Sequence, residues 1–415
     1  MKYTTSCIIL LIISIYIRAG EPLRIGIISD THYLSEQLMD DGYATENYIY
    51  TTARDIRNVP LLLDSVFTDF LDNNIQILLI SGDITKDGEM QSHTDFANKL
   101  GYLQEKGIRT FVIPGNHDIE RNSKRFTGNK SFDTETISPA QFAEIYGKFG
   151  YNDALKRDAA SLSYLASLDD NTWLLAIDIA RDKQYKKEGL PSEALSEQTE
   201  EWIINILKEA KDKQIQVIGM MHWGLVEHLP YQSRLFPKYL INDWQRLAGL
   251  FADNGMEIIF TGHFHSNDIS AFTSDTGNMI YDIETGPLCC YPFVYRFAEL
   301  TGSGINITTK RIGSLAQAPS LAEQNRALLK QVAEKTAIPK IKSFGFDADT
   351  AALKKMSDVI SGIFLIHVAG DEVIDSDLMS EIKQLSVLLG TSTEDELDIP
   401  DLDFFPADNN VYIEF

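Results

Sequence analysis

Five short apolar runs in this chain each end in a residue type that binds metal ions, and few folds can satisfy that pattern. The run from Leu23 to Ser29 leads into Asp30-Thr31-His32, and Ile77 to Ile80 leads into Gly82-Asp83. Thr110 to Ile113 leads into Gly115-Asn116-His117-Asp118. Gln216 to Met221 leads into His222, and Glu257 to Phe260 leads into Gly262-His263-Phe264-His265. Runs of this length and texture predict strands covered on both faces. A sixth, Trp173 to Ile177, has the same texture. In layered α/β domains the strand ends gather at one edge, where ligands bind. Five separate loops are therefore expected to deliver carboxylate, amide and imidazole groups to one place. The period of two along an extended chain predicts that Asp-x-His and His-x-His each point two donors the same way. Glycines at 82, 115 and 262 permit sharp turns there.

Helical patterns separate the strands. Leu61 to Leu71 and Glu89 to Gln104 are amphipathic. Ser138, Pro139 and Gln141 form a capping box with proline at the first helical position. Ser196 starts a helix with acidic residues in its first turn, and Asp243 starts one that stops near Asn254-Gly255. After Gly262, Met279 to Glu284, Phe293 to Leu300 and Ile305 to Ile312 read as strands without intervening helices, so antiparallel pairing is expected. Leu321 to Ala337, Thr350 to Ile363 and Ser376 to Leu389 read as three helices, followed by an acidic tail that includes Glu394, Asp395, Glu396, Asp398, Asp401 and Asp403. The expected division is a leader at 1–20, a main domain at 21–313 and a mainly helical region at 314–415.

The five blocks, in this order, resemble the calcineurin-like metallophosphoesterases. The resemblance rests on Asp30-x-His32, Gly82-Asp83, Gly115-Asn-His-Asp118, His222 and Gly262-His-x-His265, and it covers about Leu23 to Ile312. The segments Ser81 to Gly88 and Phe260 to His265 are similar to an exported bacterial branch of that superfamily. The resemblance implies an α/β fold: a four-layer α-β-β-α sandwich of two mixed sheets, here with a C-terminal helical appendage. It also implies that Asp30, His32, Asp83 and His265 hold one metal, and that Asp83, Asn116, His222 and His263 hold the other, with Asp83 bridging. A carboxylate has enough lone pairs for that bridge. The implied reaction is dinuclear-metal-dependent phosphoester hydrolysis by in-line attack of an activated water, with a phosphodiester preferred over a monoester. His117 is expected to serve the leaving oxygen, with Asp118 fixing its ring. Purple acid phosphatases carry a tyrosine three residues after the Gly-Asp aspartate; here Lys86 stands there. The shell of oxygen and nitrogen donors suits two divalent ions, Mn²⁺, Fe²⁺ or Zn²⁺.

Each of these residues has a plainer reading when taken alone, since Asp favours turns and caps, and a lone His at a strand end is usually packed or solvated. The convergence of five blocks is what the plain reading does not explain. The alternative function is a non-catalytic binding module that keeps the sandwich and uses the C-terminal helices as its interface. His93 is expected at the surface, His228 in a solvated or core role and His367 in a structural one. The polar segment Tyr33 to Arg57 directly follows the first block, so Tyr33, Tyr43 and Tyr48 either stack on substrate or anchor the loop. Arg121 and Arg125 are either phosphate ligands or solvated charges.

A net charge of −23 excludes a general nucleic-acid binder, because no basic surplus exists to neutralise a phosphate backbone. It leaves room for a phosphorylated small molecule or an envelope phosphoester. Lys2, the apolar run Cys7 to Ile17 and Ala19-Gly20 form an export signal. The run is short for a stable membrane span, and an uncleaved anchor is the alternative. Cys289 and Cys290 are adjacent, a poor geometry for a disulfide, and are expected to be buried.

Overall fold

The computed structural model describes residues 21–180, 193–343, 345, 350–389 and 402–415. The leader, and the acidic residues Glu394 to Asp401, lie outside the described residues.

Two mixed sheets form the centre of the molecule. The first has six strands in the order β15-β14-β13-β1-β2-β3. Its members are β1 (Leu23–Ile28), β2 (Ile77–Ile80), β3 (Arg109–Val112), β13 (Val294–Thr301), β14 (Gly304–Arg311) and β15 (Asn410–Glu414). Strands β1, β2 and β3 are parallel; β13, β14 and β15 add on as antiparallel neighbours. The second sheet has seven strands in the order β11-β12-β10-β9-β8-β7-β6. These are β6 (Lys156–Arg157), β7 (Tyr164–Ser167), β8 (Thr172–Ile177), β9 (Gln216–Met221), β10 (Met256–Thr261), β11 (Ile269–Thr273) and β12 (Met279–Glu284). A small hairpin, β4 (Lys124–Thr127) with β5 (Lys130–Asp133), stands apart.

The layering follows from the period-two alternation of buried strands. Leu174 and Ala176 of β8, with Ile258 and Phe260 of β10, enter the core shared with β1, β2 and β3. Trp173, Leu175 and Ile177, with Met256 and Ile259, face the other way. There they pack with Ile203, Ile206 and Leu207 of the helix Glu197–Lys213 and with Leu247 and Phe251 of the helix Trp244–Asp253. The helix Val59–Asp72 covers the first sheet with Leu62, Val66 and Phe70. Each sheet is thus apolar on both faces, which gives the α-β-β-α sandwich.

The helix signals act as expected. Ser138 accepts from the Gln141 backbone N–H while the Gln141 side chain returns to the Ser138 N–H. Ser196 caps its helix through Thr199. The three C-terminal helices span Leu321–Ser343, Thr350–His367 and Ser376–Leu389. Among the described residues, no helix is long and apolar enough to cross a membrane.

Two expectations need correction. The strands after Gly262 are not one antiparallel set: β12 lies in the second sheet, parallel to β10 and antiparallel to β11. The chain between β10 and β12 is long enough for β11 to form and return, which allows a parallel partner without a helix. The tail also does more than follow the helices. Asn410–Glu414 pairs with β14 and buries Ile413.

Candidate metal centre

The ligand-type residues at the strand ends meet at one edge of the sandwich. Asp30 follows β1, and its Oδ1 lies 3.1 Å from His265 Nε2 and 3.8 Å from His32 Nε2. His32 Nε2 is 3.3 Å from His265 Nε2 and 3.6 Å from Asp83 Oδ2. The same Asp83 oxygen is 3.4 Å from His222 Nε2, which is 3.3 Å from Asn116 Oδ1. The His263 ring lies 4.8 Å from that of His222. All seven expected residues are therefore brought together, with Asp83 in the middle.

Turns, not extended chain, aim these groups. Asp30, His32, Asp83, His263 and His265 all have positive φ, between 41° and 76°. The expectation that strand alternation points Asp30 with His32, and His263 with His265, is thus corrected. Left-handed backbone at residues other than glycine is held only where surrounding contacts enforce it, and such strain gathers at functional sites. Here the Asp30 Oδ2 accepts from the Ser29 hydroxyl at 2.6 Å and from the His263 N–H at 3.0 Å, which ties the first block to the fifth. The close approach also fixes Gly262, where a Cβ would sit 2.0 Å from Ser29 Oγ and 2.6 Å from Asp30 Oδ2.

Outer partners settle which ring nitrogen faces inward. His222 Nδ1 donates to the Ser81 carbonyl at 2.7 Å, leaving Nε2 toward Asp83. His263 Nε2 donates to the Lys238 carbonyl at 3.0 Å, leaving Nδ1 free to bind. Such second partners set the tautomer and strengthen a ligating imidazole.

The donor set fits a pair of cations. Asp30 Oδ1 is buried without a hydrogen-bond partner among the described residues. Several nitrogen and carboxylate pairs face each other beyond hydrogen-bond length. Burial alone would lower the histidines, yet Asp83 and Asp30 push His222 up to about 9, and Asp30 pushes His265 up to about 10. Burial, with His222 nearby, instead takes His263 down to about 3. Such a pocket demands positive charge at its centre.

His117 sits beside this group, its ring 4.8 Å from that of His32. Its backbone N–H donates to Asp83 Oδ1 at 2.8 Å. Its Nδ1 donates to Asp87 Oδ1 and to the Lys86 carbonyl, both at 2.9 Å, so Nε2 remains available to substrate. This corrects the role expected of Asp118. The Asp118 carboxylate accepts from the backbone N–H groups of Gly115, Ile84 and Thr85 and from the Thr85 hydroxyl. It ties two ligand loops together, and Asp87 orients His117. The signal for Asp87 was its place four residues after Asp83, one position beyond Lys86.

Arg54 was also missed. Burial works against its guanidinium charge and the Asp83 carboxylate supports it; burial first, and the Arg54 charge second, depress His32. It belongs to the segment after the first block, the part of the chain whose position pointed to the pocket, and its charge is felt at His32. Within that segment Tyr33 is buried against Phe96, so it anchors the loop. Tyr48 lies under the Lys86 ammonium, and Tyr43 is exposed. Lys86 is itself buried, paired with Asp87 and Glu89. Arg125 stacks on Phe132 of the hairpin at 5.0 Å.

The remaining histidines are all interior. His93 is fully buried, which corrects its expected surface position: Nε2 donates to the Asp118 carbonyl at 2.8 Å and Nδ1 accepts from the Tyr146 hydroxyl at 2.9 Å. His228 and His367 are buried among carboxylates. Cys289 and Cys290 are buried free thiols.

A family model described as calcineurin-like phosphoesterase matches residues 23–267. The chain belongs to the calcineurin-like phosphoesterases. It is accordingly a metal-dependent phosphoesterase, and the family depends on a dinuclear metal centre. Solved structures to which the chain is similar include a dimetal phosphatase from Danio rerio, at 15% identity and a TM-score of 0.48, covering 70% of this chain and 97% of that one. Another is GAP50, the anchor in the inner membrane complex of Plasmodium, at 14% identity and 0.37, covering 75% and 96%. A third is a phosphoesterase from Streptococcus pneumoniae, described as predicted, at 13% and 0.29, covering 71% and 91%. No curated protein sequence matches this calcineurin-like phosphoesterase.

Proposed function

We propose that this phosphoesterase hydrolyses a small or envelope-derived phosphodiester at the edge where Asp30, His32, Asp83, Asn116, His222, His263 and His265 converge. The observation that supports the ligand roles is the position of Asp83 Oδ2 between His32 and His222, at 3.6 and 3.4 Å. Asp30, His32 and His265 would hold one ion and Asn116, His222 and His263 the other, with Asp83 shared between them. Mn²⁺, Fe²⁺ and Zn²⁺ all suit this set of nitrogen and oxygen donors. When bound, the ion pair supplies an acidified water and neutralises the phosphoryl oxygens.

The chain's own groups do the rest. Arg54 adds a fixed positive charge beside the centre and binds a non-bridging phosphoryl oxygen. His117 Nε2, with Nδ1 held by Asp87, protonates the departing oxygen. Asp118 keeps the loops of Asp83 and Asn116 in register. Diester selectivity would follow from a cleft that holds two substituents on phosphorus.

A panel of p-nitrophenyl phosphate and bis-p-nitrophenyl phosphate, assayed on protein loaded with Mn²⁺, tests this reading. A higher kcat/KM for the bis-ester is expected, and Arg54→Ala should raise KM for both by about 10- to 100-fold, since charge-assisted contacts of this kind contribute about 1.5–3 kcal/mol. A clear preference for the monoester would overturn the diester assignment.

We also propose export by the leader at 1–20, followed by the catalytic unit and a C-terminal region from about 314. The charged start and short apolar run of the leader support this. Sequencing the N-terminus of the mature protein from separated cell fractions tests it: a start near residue 21 outside the cytoplasm is expected, and an intact Met1 would contradict cleavage.

A further inference from the structure

Behind the loop of His263 and His265, a second group of ionisable side chains is sealed between the sandwich and the C-terminal helices. Asp268 precedes β11 and is fully buried. His367 closes the helix Thr350–His367, Glu372 follows it, and both are more than nine-tenths buried. The Phe264 ring packs on His367 at 5.6 Å, so this group backs directly onto the loop of the metal centre.

One side of Asp268 is satisfied and the other is not. Its Oδ1 accepts from His228 Nδ1 at 2.6 Å and from the Ser270 hydroxyl at 3.0 Å. Its Oδ2 has no hydrogen-bond partner among the described residues and lies 3.8 Å from His367 Nδ1. His367 Nδ1 is 2.5 Å from Glu372 Oε1, while Glu372 Oε2 and His367 Nε2 have no hydrogen-bond partner among the described residues. Ligand-type atoms of Asp268, His367 and Glu372 all lie within 4.8 Å of one another. Leaving a buried polar atom unpaired costs about 1–3 kcal/mol, and more when it is charged. Two unpaired carboxylate oxygens beside an imidazole in one buried cluster point to a positively charged ligand.

The surroundings deepen the demand. His228 is shared with Asp282 at 3.3 Å and Glu284 at 3.6 Å. Arg296, the buried cation next to them, directs its two terminal nitrogens to the carbonyls of Glu284 and Asp408 and to Thr309, while its Nε has no hydrogen-bond partner among the described residues. Asp408 joins from the chain leading to β15, accepting from the N–H groups of Ile269 and Asp371. Burial first, and Asp268 second, push both Glu372 and Asp408 up to about 9, as expected where carboxylates outnumber cations.

We propose that Asp268, His367 and Glu372 bind a divalent cation of the zinc or manganese class, separate from the catalytic centre, which fastens the C-terminal helices to the sandwich. Calcium and magnesium take oxygen ligands, whereas an imidazole with carboxylates suits the zinc and manganese class. His367 Nδ1 binds through its lone pair, and the ring proton moves to Nε2, the nitrogen without a partner. The three ligands come from the turn before β11 and from the end of a C-terminal helix, so the ion links parts far apart in sequence.

The test is to crystallise the full chain with Zn²⁺ and collect diffraction data above and below the zinc absorption edge. An anomalous peak between Asp268, His367 and Glu372 is expected, distinct from those at Asp83. Metal analysis after dialysis should show Glu372→Gln retaining one ion fewer per chain than wild type, with its phosphoesterase rate kept. No anomalous peak at that position in the wild type would overturn the proposal, and would mean that protons alone balance the cluster. Equal metal content in the wild type and Glu372→Gln would also overturn it. If Glu372→Gln does not fold, the wild-type map decides. Neither result depends on which phosphoester the enzyme cleaves.

Discussion

At the scale of single residues, the proposed catalytic roles divide between groups that would touch substrate and groups that hold them. His117→Ala should lower kcat by about 10²–10⁴-fold, the usual contribution of a positioned acid or base. Asp87→Asn should lower kcat with metal content and KM little changed, because it loosens the His117 ring without touching the ions. Loss of metal from Asp87→Asn, measured by elemental analysis, would contradict a positioning role. Burial holds the His93 imidazole down near 3, below its ordinary 6.5. The unfolded chain takes up that proton first, so stability present above pH 6.5 is lost as pH falls toward 3. His93→Gln should therefore flatten the fall in Tm between pH 6.5 and 4 relative to wild type, read by thermal unfolding in buffers across that range. The ligand types were legible in the sequence because each ends an apolar run, and the runs fix where the strands stop. Asp87, Arg54 and the interior position of His93 were not legible. Sequence shows which residues are neighbours along the chain, while Asp87 and His93 take their roles from partners brought in by folding, His117 and Tyr146.

At the scale of elements, the strands and capped helices of the sandwich were readable from local pattern. The Ser138 capping box and the continuous apolar runs each state their own structure. What pairs with what was less readable. Strand β12 carries no local mark of being parallel to β10, since pairing direction depends on where β11 turns back. Strand β15 is short, lies far along the chain from β14, and is joined to it only through the folded body. Its contribution is measurable. Ile413 is 3% exposed at the edge of the first sheet, and Ile413→Ala should cost about 2–4 kcal/mol, seen as a lower denaturant midpoint at unchanged slope. A change below about 0.5 kcal/mol would mean that the last strand is an ornament on the sheet.

At the scale of the whole molecule, a chain of net charge −23 gathers imidazole and carboxylate groups at one edge of its sheets, a donor set that suits cations. The sandwich brings five loops to one edge, and the left-handed turns at Asp30, Asp83 and His263 are tolerated because neighbouring loops hold them. β15 extends the first sheet beside β14, and the C-terminal helices pack behind the loop of His263 and His265, so stability and catalysis share one frame. All of this rests on Asp83 as the carboxylate common to both halves of the centre. The most direct measurement is the hydrolysis of bis-p-nitrophenyl phosphate by Mn²⁺-loaded wild type and Asp83→Ala, with folding of both checked by circular dichroism. The account predicts that the variant, still folded, loses at least about 10³-fold in kcat/KM, since several kcal/mol of charge stabilisation vanish with the shared ligand. Equal rates for the two proteins would contradict it.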